Sequence, residues 1–166
     1  MDNKSNKSKG EIIIVAPHPD DELIGCYNVL RNQDWSTAVL YSGSTEPARR
    51  EEAMKVKEYF PSVKAQMFHD VIPPPFLNLR NRFYFPDPIY EVHPDHRRWG
   101  QIGESMARQG YDVVFYVINM NAPYIFRQEA REDKKKALNE LYPSQKDLWR
   151  YDGKYYLFEG YCKWIF

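Results

Sequence analysis

A three-layer α/β domain built on a mostly parallel, Rossmann-like sheet is the fold class the sequence predicts. Three observations carry it. Apolar runs typical of buried strands alternate with segments of helical spacing, the rhythm of a parallel sheet covered on both faces. The strongest run, Ile12-Ile13-Ile14-Val15-Ala16, is continuously apolar, as a central strand must be. The 166 residues suffice for one domain that buries roughly 68–70% of its unfolded surface, and no repeat or linker divides them.

The elements follow in order. Residues 1–10 are polar, lysine-rich and without periodicity, so a flexible leader is expected before a single compact domain over 11–166. Residues 11–16 read as the central strand, 21–31 as a helix, 37–41 as a second strand and 47–60 as a second helix, with Pro47 suited to its first turn. A third strand is expected over 64–69. Pro73-Pro74-Pro75 makes 71–76 a loop, with a short helix expected at 77–83 and a strand at 89–92. Pro94 suits the start of a helix with Gly100, Ile102 and Met106 on its small or apolar positions. Residues 111–118 are the second strongest strand and 131–141 the last clear helix. The tail, 151–166, alternates aromatic residues after the turn signal Asp152-Gly153, so a terminal antiparallel hairpin is expected.

Lysine plus arginine equals aspartate plus glutamate at 23 each, which gives no broad electrostatic basis for binding nucleic acid or a membrane surface. Cys26 and Cys162 are the only cysteines, the chain start does not resemble a secretory segment, and no apolar stretch reaches the length of a membrane span. The expectation is a soluble, cytoplasmic protein.

The chemistry concentrates in two short clusters, His18-Pro19-Asp20-Asp21-Glu22 and His93-Pro94-Asp95-His96, which hold three of the four histidines. The first follows the central strand directly, at the carboxyl edge where open parallel sheets bind ligands. Imidazoles and carboxylates without a cysteine cluster suit a borderline metal such as zinc, bound by three side chains with a fourth position open to water. Of Asp20 and Asp21, one can ligate and the other take a proton from the metal-bound water; alternatively both are acids favoured by a helix's first turn. His93 and His96 lie three residues apart, which turns both toward one side. Only one need ligate; the other can serve an oxyanion or a departing nitrogen, and Asp95 can fix an imidazole tautomer. His69, at a strand end, reads as a structural histidine rather than a substrate contact.

These two motifs resemble those of the zinc-dependent deacetylases that include the N-acetylglucosaminyl-phosphatidylinositol de-N-acetylases and the LmbE-like proteins. The resemblance implies that His18, Asp21 and His96 hold Zn²⁺ or another divalent ion. It implies Asp20 as general base, His93 as oxyanion partner and Asp95 as the group orienting His93. Arg49 and Glu52 match an Arg-x-x-Glu pattern on the family's second helix, which makes Arg49 a candidate substrate contact; alternatively the two residues belong to a helix surface or an internal salt bridge. A late pattern, a basic helix leading into Tyr/His-x-Ser-Gln, is similar to Lys134-Lys135-Lys136-Ala137 and Tyr142-Pro143-Ser144-Gln145.

The chain departs from the pattern at Ser42-Gly43-Ser44-Thr45, where many members carry a Gly-Glu or similar polar pair, and only 70 residues separate Glu22 from His93. An open site is therefore expected, with Pro73-Pro74-Pro75-Phe76 and Phe83-Tyr84-Phe85 either rebuilding a wall or filling the core. The implied activity is hydrolysis of an N-acyl amide, foremost deacetylation of an N-acetylated amino-sugar conjugate. Another acylated small molecule or nucleotide derivative is the alternative substrate. A metal-containing binding or assembly protein with weak catalysis is the alternative class.

Overall fold

The sheet grows outward from β1 (Ile12–Ala16), whose five residues are all buried. The structure, a computed structural model, describes residues 10–43, 46–119, 121–127, 132–150 and 153–163. After β1 come α1 (Asp21–Arg31), β2 (Thr37–Tyr41), α2 (Pro47–Met54), α3 (Val56–Tyr59), β3 (Val63–Phe68) and β4 (Arg82–Pro86). The chain continues through α4 (Pro94–Arg108), β5 (Asp112–Tyr116), β6 (Ile125–Arg127), α5 (Glu132–Leu141), α6 (Lys146–Trp149), α7 (Lys154–Leu157) and β7 (Phe158–Cys162). The strand order is β3-β2-β1-β4-β5-β7-β6. The first five strands run parallel, while β7 runs antiparallel to both β5 and β6.

The α/β, three-layer, Rossmann-like class is thus the observed one, and its physical reason lies in side-chain alternation. Ile12, Ile14 and Ala16 face a core shared with α1, α3, α5 and α6 through Leu23, Val56, Leu138 and Trp149. Ile13 and Val15 face a second core with Phe83, Phe85 and the α4 residues Trp99 and Met106. A strand covered on both faces has no solvent side, so a run without polar residues is what the position requires. Each fully buried isoleucine contributes about 1.5–3 kcal/mol. The strand order reverses between β1 and β4, and the crevice outside their carboxyl ends is the switch point where such sheets receive ligands. Both histidine motifs begin there. Among the described residues, no helix is long and apolar enough to cross a membrane.

Four expectations need correction. Residues 77–83 are not a helix: Arg82 begins β4, and the period-two alternation that buries Phe83 and Phe85 on one core decides it. Those rings are core, not a substrate wall, and Ile72 and Phe76 pack partly on the same core. Residues 89–92 are not a strand, because the Asp87 carboxylate accepts the amides of Ile89 and Tyr90, both at 2.7 Å, and curls the segment into a turn. The helix expected over 47–60 breaks at Lys55 into α2 and α3. Among the described residues the tail forms no hairpin of its own. Its described residues, 153–163, form one helical turn, α7, and one strand, β7, whose partners come from earlier in the chain; Tyr151, Asp152, Trp164, Ile165 and Phe166 lie outside the described residues.

Candidate metal centre

The first loop is built to turn carboxylates inward. Asp20 precedes α1 in a left-handed conformation, φ 105°, the only positive φ outside glycine among the described residues. That conformation costs an L-residue about 1–2 kcal/mol and is held locally. Its amide donates to Glu22 Oε2 at 3.1 Å, and its carbonyl accepts the Leu23 and Ile24 amides. An aspartate at this position ordinarily caps the helix with its side chain. Here the carboxylate makes no capping bond and instead accepts Arg49 Nη2 at 3.1 Å. Asp21 Oδ2 accepts the His18 amide at 2.8 Å, which ties the loop across the Pro19 turn. Gly43 lies where a Cβ would come within 2.2 Å of the Pro17 carbonyl, so the chain after β2 can pass this loop only without a side chain; Ser44 and Thr45 lie outside the described residues.

The second loop brings His93 and His96 against the first. Pro94 opens α4, and His93 caps it, its Nδ1 accepting the Asp95 amide at 3.2 Å. Since an amide can only donate, a neutral His93 carries its ring proton on Nε2. One turn into α4, buried His96 lies with Nδ1 3.0 Å from Glu91 Oε2. Glu91 Oε1 also accepts the amides of Ile118 and Asn119, so one carboxylate joins His96 to the loop after β5. Asp95 Oδ2 is 3.1 Å from His18 Nε2 but 3.9 Å from His93 Nδ1. The carboxylate expected to orient His93 therefore faces His18.

Three donor atoms meet where the loops touch. His96 Nε2 is 3.0 Å from Asp21 Oδ2, His18 Nδ1 is 3.2 Å from His96 Nε2, and His18 Nδ1 is 3.5 Å from Asp21 Oδ2. A tetrahedral ion with bonds of about 2.0–2.1 Å spans donor separations of about 3.3 Å, so the triangle fits such an ion. On each imidazole the opposite nitrogen faces a carboxylate, Asp95 for His18 and Glu91 for His96, the usual support of metal-bound histidine. A wider group of ring nitrogens, from His18, His93 and His96, lies within 4.8 Å and could also hold a metal ion.

The electrostatics are those of a concentrated acidic site. Burial works against the charged form of His96, but Asp21 and Glu91 outweigh it and raise its pKa to about 10. Burial likewise opposes ionisation of Asp21, yet His96 and His18 hold it well below the usual carboxylate range. Asp20 is pushed well above that range by burial and by Asp21, with Arg49 pulling the other way. Burial lifts Glu22 to about 7 against the hydrogen bond from Tyr142.

His18, Asp20, Asp21, His93, His96 and Arg49 all line one cavity of about 260 Å³. A neighbouring cavity of about 290 Å³ shares His93, His96, Ile118 and Tyr155 with it. Arg49 is half of an internal ion pair with Asp20, and it also donates to the Pro19 carbonyl. The pattern's other residues act behind the site. Glu52 accepts the amide and hydroxyl of Ser144 at 2.8 and 2.6 Å, and Tyr142 donates to Glu22. His69 is exposed and its amide bonds the Tyr41 carbonyl, as a strand-end residue would. Glu91 was not legible as a site residue. Its only trace in the sequence is a carboxylate two positions before the second motif.

No protein-family model and no curated protein matches the chain.

Proposed function

We propose that this chain is a metal-dependent N-acyl amide hydrolase, most readily a zinc-dependent deacetylase of an N-acetylated amino-sugar conjugate, as the motifs' resemblance implies. One observation carries the reading: His18 Nδ1, Asp21 Oδ2 and His96 Nε2 stand 3.0–3.5 Å apart, with both imidazoles backed by carboxylates. A bound Zn²⁺ would polarise the acyl oxygen and acidify a water molecule at the open position.

The remaining chemistry belongs to the protein. Asp20 lines the same cavity, is released from capping the helix, and is steered by Arg49, so it is the group that takes the proton of the attacking water. Its burial raises its proton affinity, which suits a base. His93 presents Nε2–H at a half-exposed position beside the ligands, where an oxyanion forming on the acyl carbon can accept it. The carbon–nitrogen bond then breaks, and the proton held by Asp20 passes to the departing amine. Products are a carboxylic acid and a free amine. The second cavity adjoins the one that holds the ligand triangle and leaves room for a substituent beyond the reacting group, which favours a conjugate over a lone acetamide.

The test is acetate release by zinc-replete protein from a panel of N-acetylglucosamine conjugates, run beside N-acylated nucleotides and simple amides. Release from the sugar conjugates is expected. One bound zinc with no acetate from any sugar conjugate contradicts the substrate class and leaves the metal site standing.

A further inference from the structure

Behind the metal loop, α1 is broken. Cys26 has φ −131° and ψ 27°, outside the helical region, midway along the helix that starts with Asp21. A helix forced open at such a point leaves a carbonyl and an amide without their ordinary partners, and buried groups of this kind must be answered by something else. In an unbroken helix the Asn28 amide would donate to the Ile24 carbonyl. Those two groups are the ones that a remote, fully buried ion pair reaches. Lys134 Nζ, on α5, donates to the Ile24 carbonyl at 2.6 Å, and Glu159 Oε2, on β7, accepts the Asn28 amide at 3.4 Å. Lys134 and Glu159 are themselves joined at 3.1 Å, with neither side chain exposed to solvent.

The packing gives the break a reason. A Cβ on Gly25 would come within 2.3 Å of the Tyr116 ring, so α1 presses closely on β5 at this turn. Tyr116 in turn donates to the Val15 carbonyl at 2.8 Å, at the end of the strand that leads into the metal loop.

We propose that Lys134 and Glu159 are positioning residues for the metal centre: the ion pair splints the opened turn of α1 and so fixes the direction from which Asp21 enters the ligand triangle. Neither residue touches the site. Their charge is not what the role needs, because the Ile24 carbonyl and the Asn28 amide require only a donor and an acceptor. A buried ion pair replaced by apolar residues at both positions leaves no unpaired charge behind. Folding and positioning can therefore be measured separately, the cost to the fold being the Ile24 carbonyl and Asn28 amide left unanswered. The inference rests on the metal reading of His18, Asp21 and His96.

The experiment measures zinc affinity, by competition with a chromophoric chelator, on the native protein and two double variants whose folding is confirmed by thermal unfolding. Lys134→Met with Glu159→Leu removes both hydrogen-bonding groups, and zinc affinity should fall roughly 10–100-fold in a folded protein. Lys134→Met with Glu159→Gln keeps an acceptor for Asn28 but not the donor to Ile24, and should recover about half of that loss on a logarithmic scale, remaining roughly 3–10-fold weaker than native. Native affinity in the folded Met/Leu variant overturns the proposal. So does equal weakening in both variants, which marks a merely structural role. Should the Met/Leu variant fail to fold, Lys134→Met with Glu159→Gln is compared with the native protein alone, and unchanged affinity there also overturns it. A native protein that binds no zinc rejects the metal reading instead, a separate result.

Discussion

The two loops that meet at the candidate centre are built differently. The first, between β1 and α1, hides its chemistry: Asp20, Asp21 and Glu22 are all buried, each carboxylate committed to a partner within hydrogen-bond distance. The second splits its residues. The His96 side chain is 7% exposed, while those of His93 and Asp95, on the same turn, are 49% and 48% exposed. The difference teaches how one site serves two needs. Ligands must be dry and held from behind to bind an ion tightly, whereas the group that meets the substrate must reach open space. His93 is on the open side and Asp21 on the closed side. For this reason Asp21, rather than His93, completes the ligand set in the reading proposed here.

Substitutions can break that contrast. The largest effect is expected at Asp21→Ala, which removes a donor from a three-ligand set and the buried partner of His96. Zinc affinity should fall by more than about a hundredfold and turnover with it, measured as metal content after dialysis and as acetate release. Asp20→Asn, one residue away, should keep stoichiometric zinc while kcat falls roughly 10²–10⁴-fold. His93→Ala should also keep its zinc and lose about 10²–10³-fold in kcat, with a fall of about 2–4 °C in melting temperature from the lost cap of α4. Loss of zinc in the His93 variant, with retention in Asp21→Ala, would reverse the assignment of open and closed sides.

The carboxylates behind the imidazoles sharpen the comparison at a smaller scale. Glu91→Gln and Asp95→Asn are each expected to weaken zinc binding about 10–100-fold without removing a ligand, read from chelator competition. Glu91→Gln should have the greater effect, since Glu91 is buried and also anchors the Ile118 and Asn119 amides.

The pH dependence follows from His96. Its pKa in the folded, metal-free protein, about 10, lies above the ordinary 6.5, so its pairing with Asp21 stabilises the fold fully below pH 6.5. That stabilisation is lost as pH rises through 10. A metal must displace the same proton. About one proton should therefore be released from His96 per zinc bound near neutral pH, and affinity should rise about tenfold per pH unit up to 10. Calorimetry in two buffers of different ionisation enthalpy measures the release; no proton released would place the ion elsewhere.

Much of this was legible in the sequence because the signals were local. The apolar run at Ile12 to Ala16 needs two covered faces and the first histidine motif follows it directly, so that part of the sheet's edge could be read; the second motif reads onto the same edge through a strand expected at 89–92, whereas the strand that leads to it is β4. β4 was misread because its alternation, Phe83 and Phe85 inward, is only five residues long and is preceded by a helix-compatible stretch. The apolar character of Ile89 and Val92 suggested a strand, but the deciding interaction is a side-chain one, the Asp87 carboxylate capturing two amides. Lys134 and Tyr142 stand in the late motif, but what they touch, like the roles of Glu91 and Glu159, comes from contacts between residues 5 to 120 positions apart, which a single sequence does not show.

The most direct test is a crystal structure of the zinc-loaded protein with the ion located by its anomalous scattering. The expected result is one zinc about 2.0–2.2 Å from His18 Nδ1, Asp21 Oδ2 and His96 Nε2, with Asp20 and His93 beside the open position but unbound. A zinc held by His18, His93 and His96, with Asp21 outside its coordination, would contradict the division between the two loops.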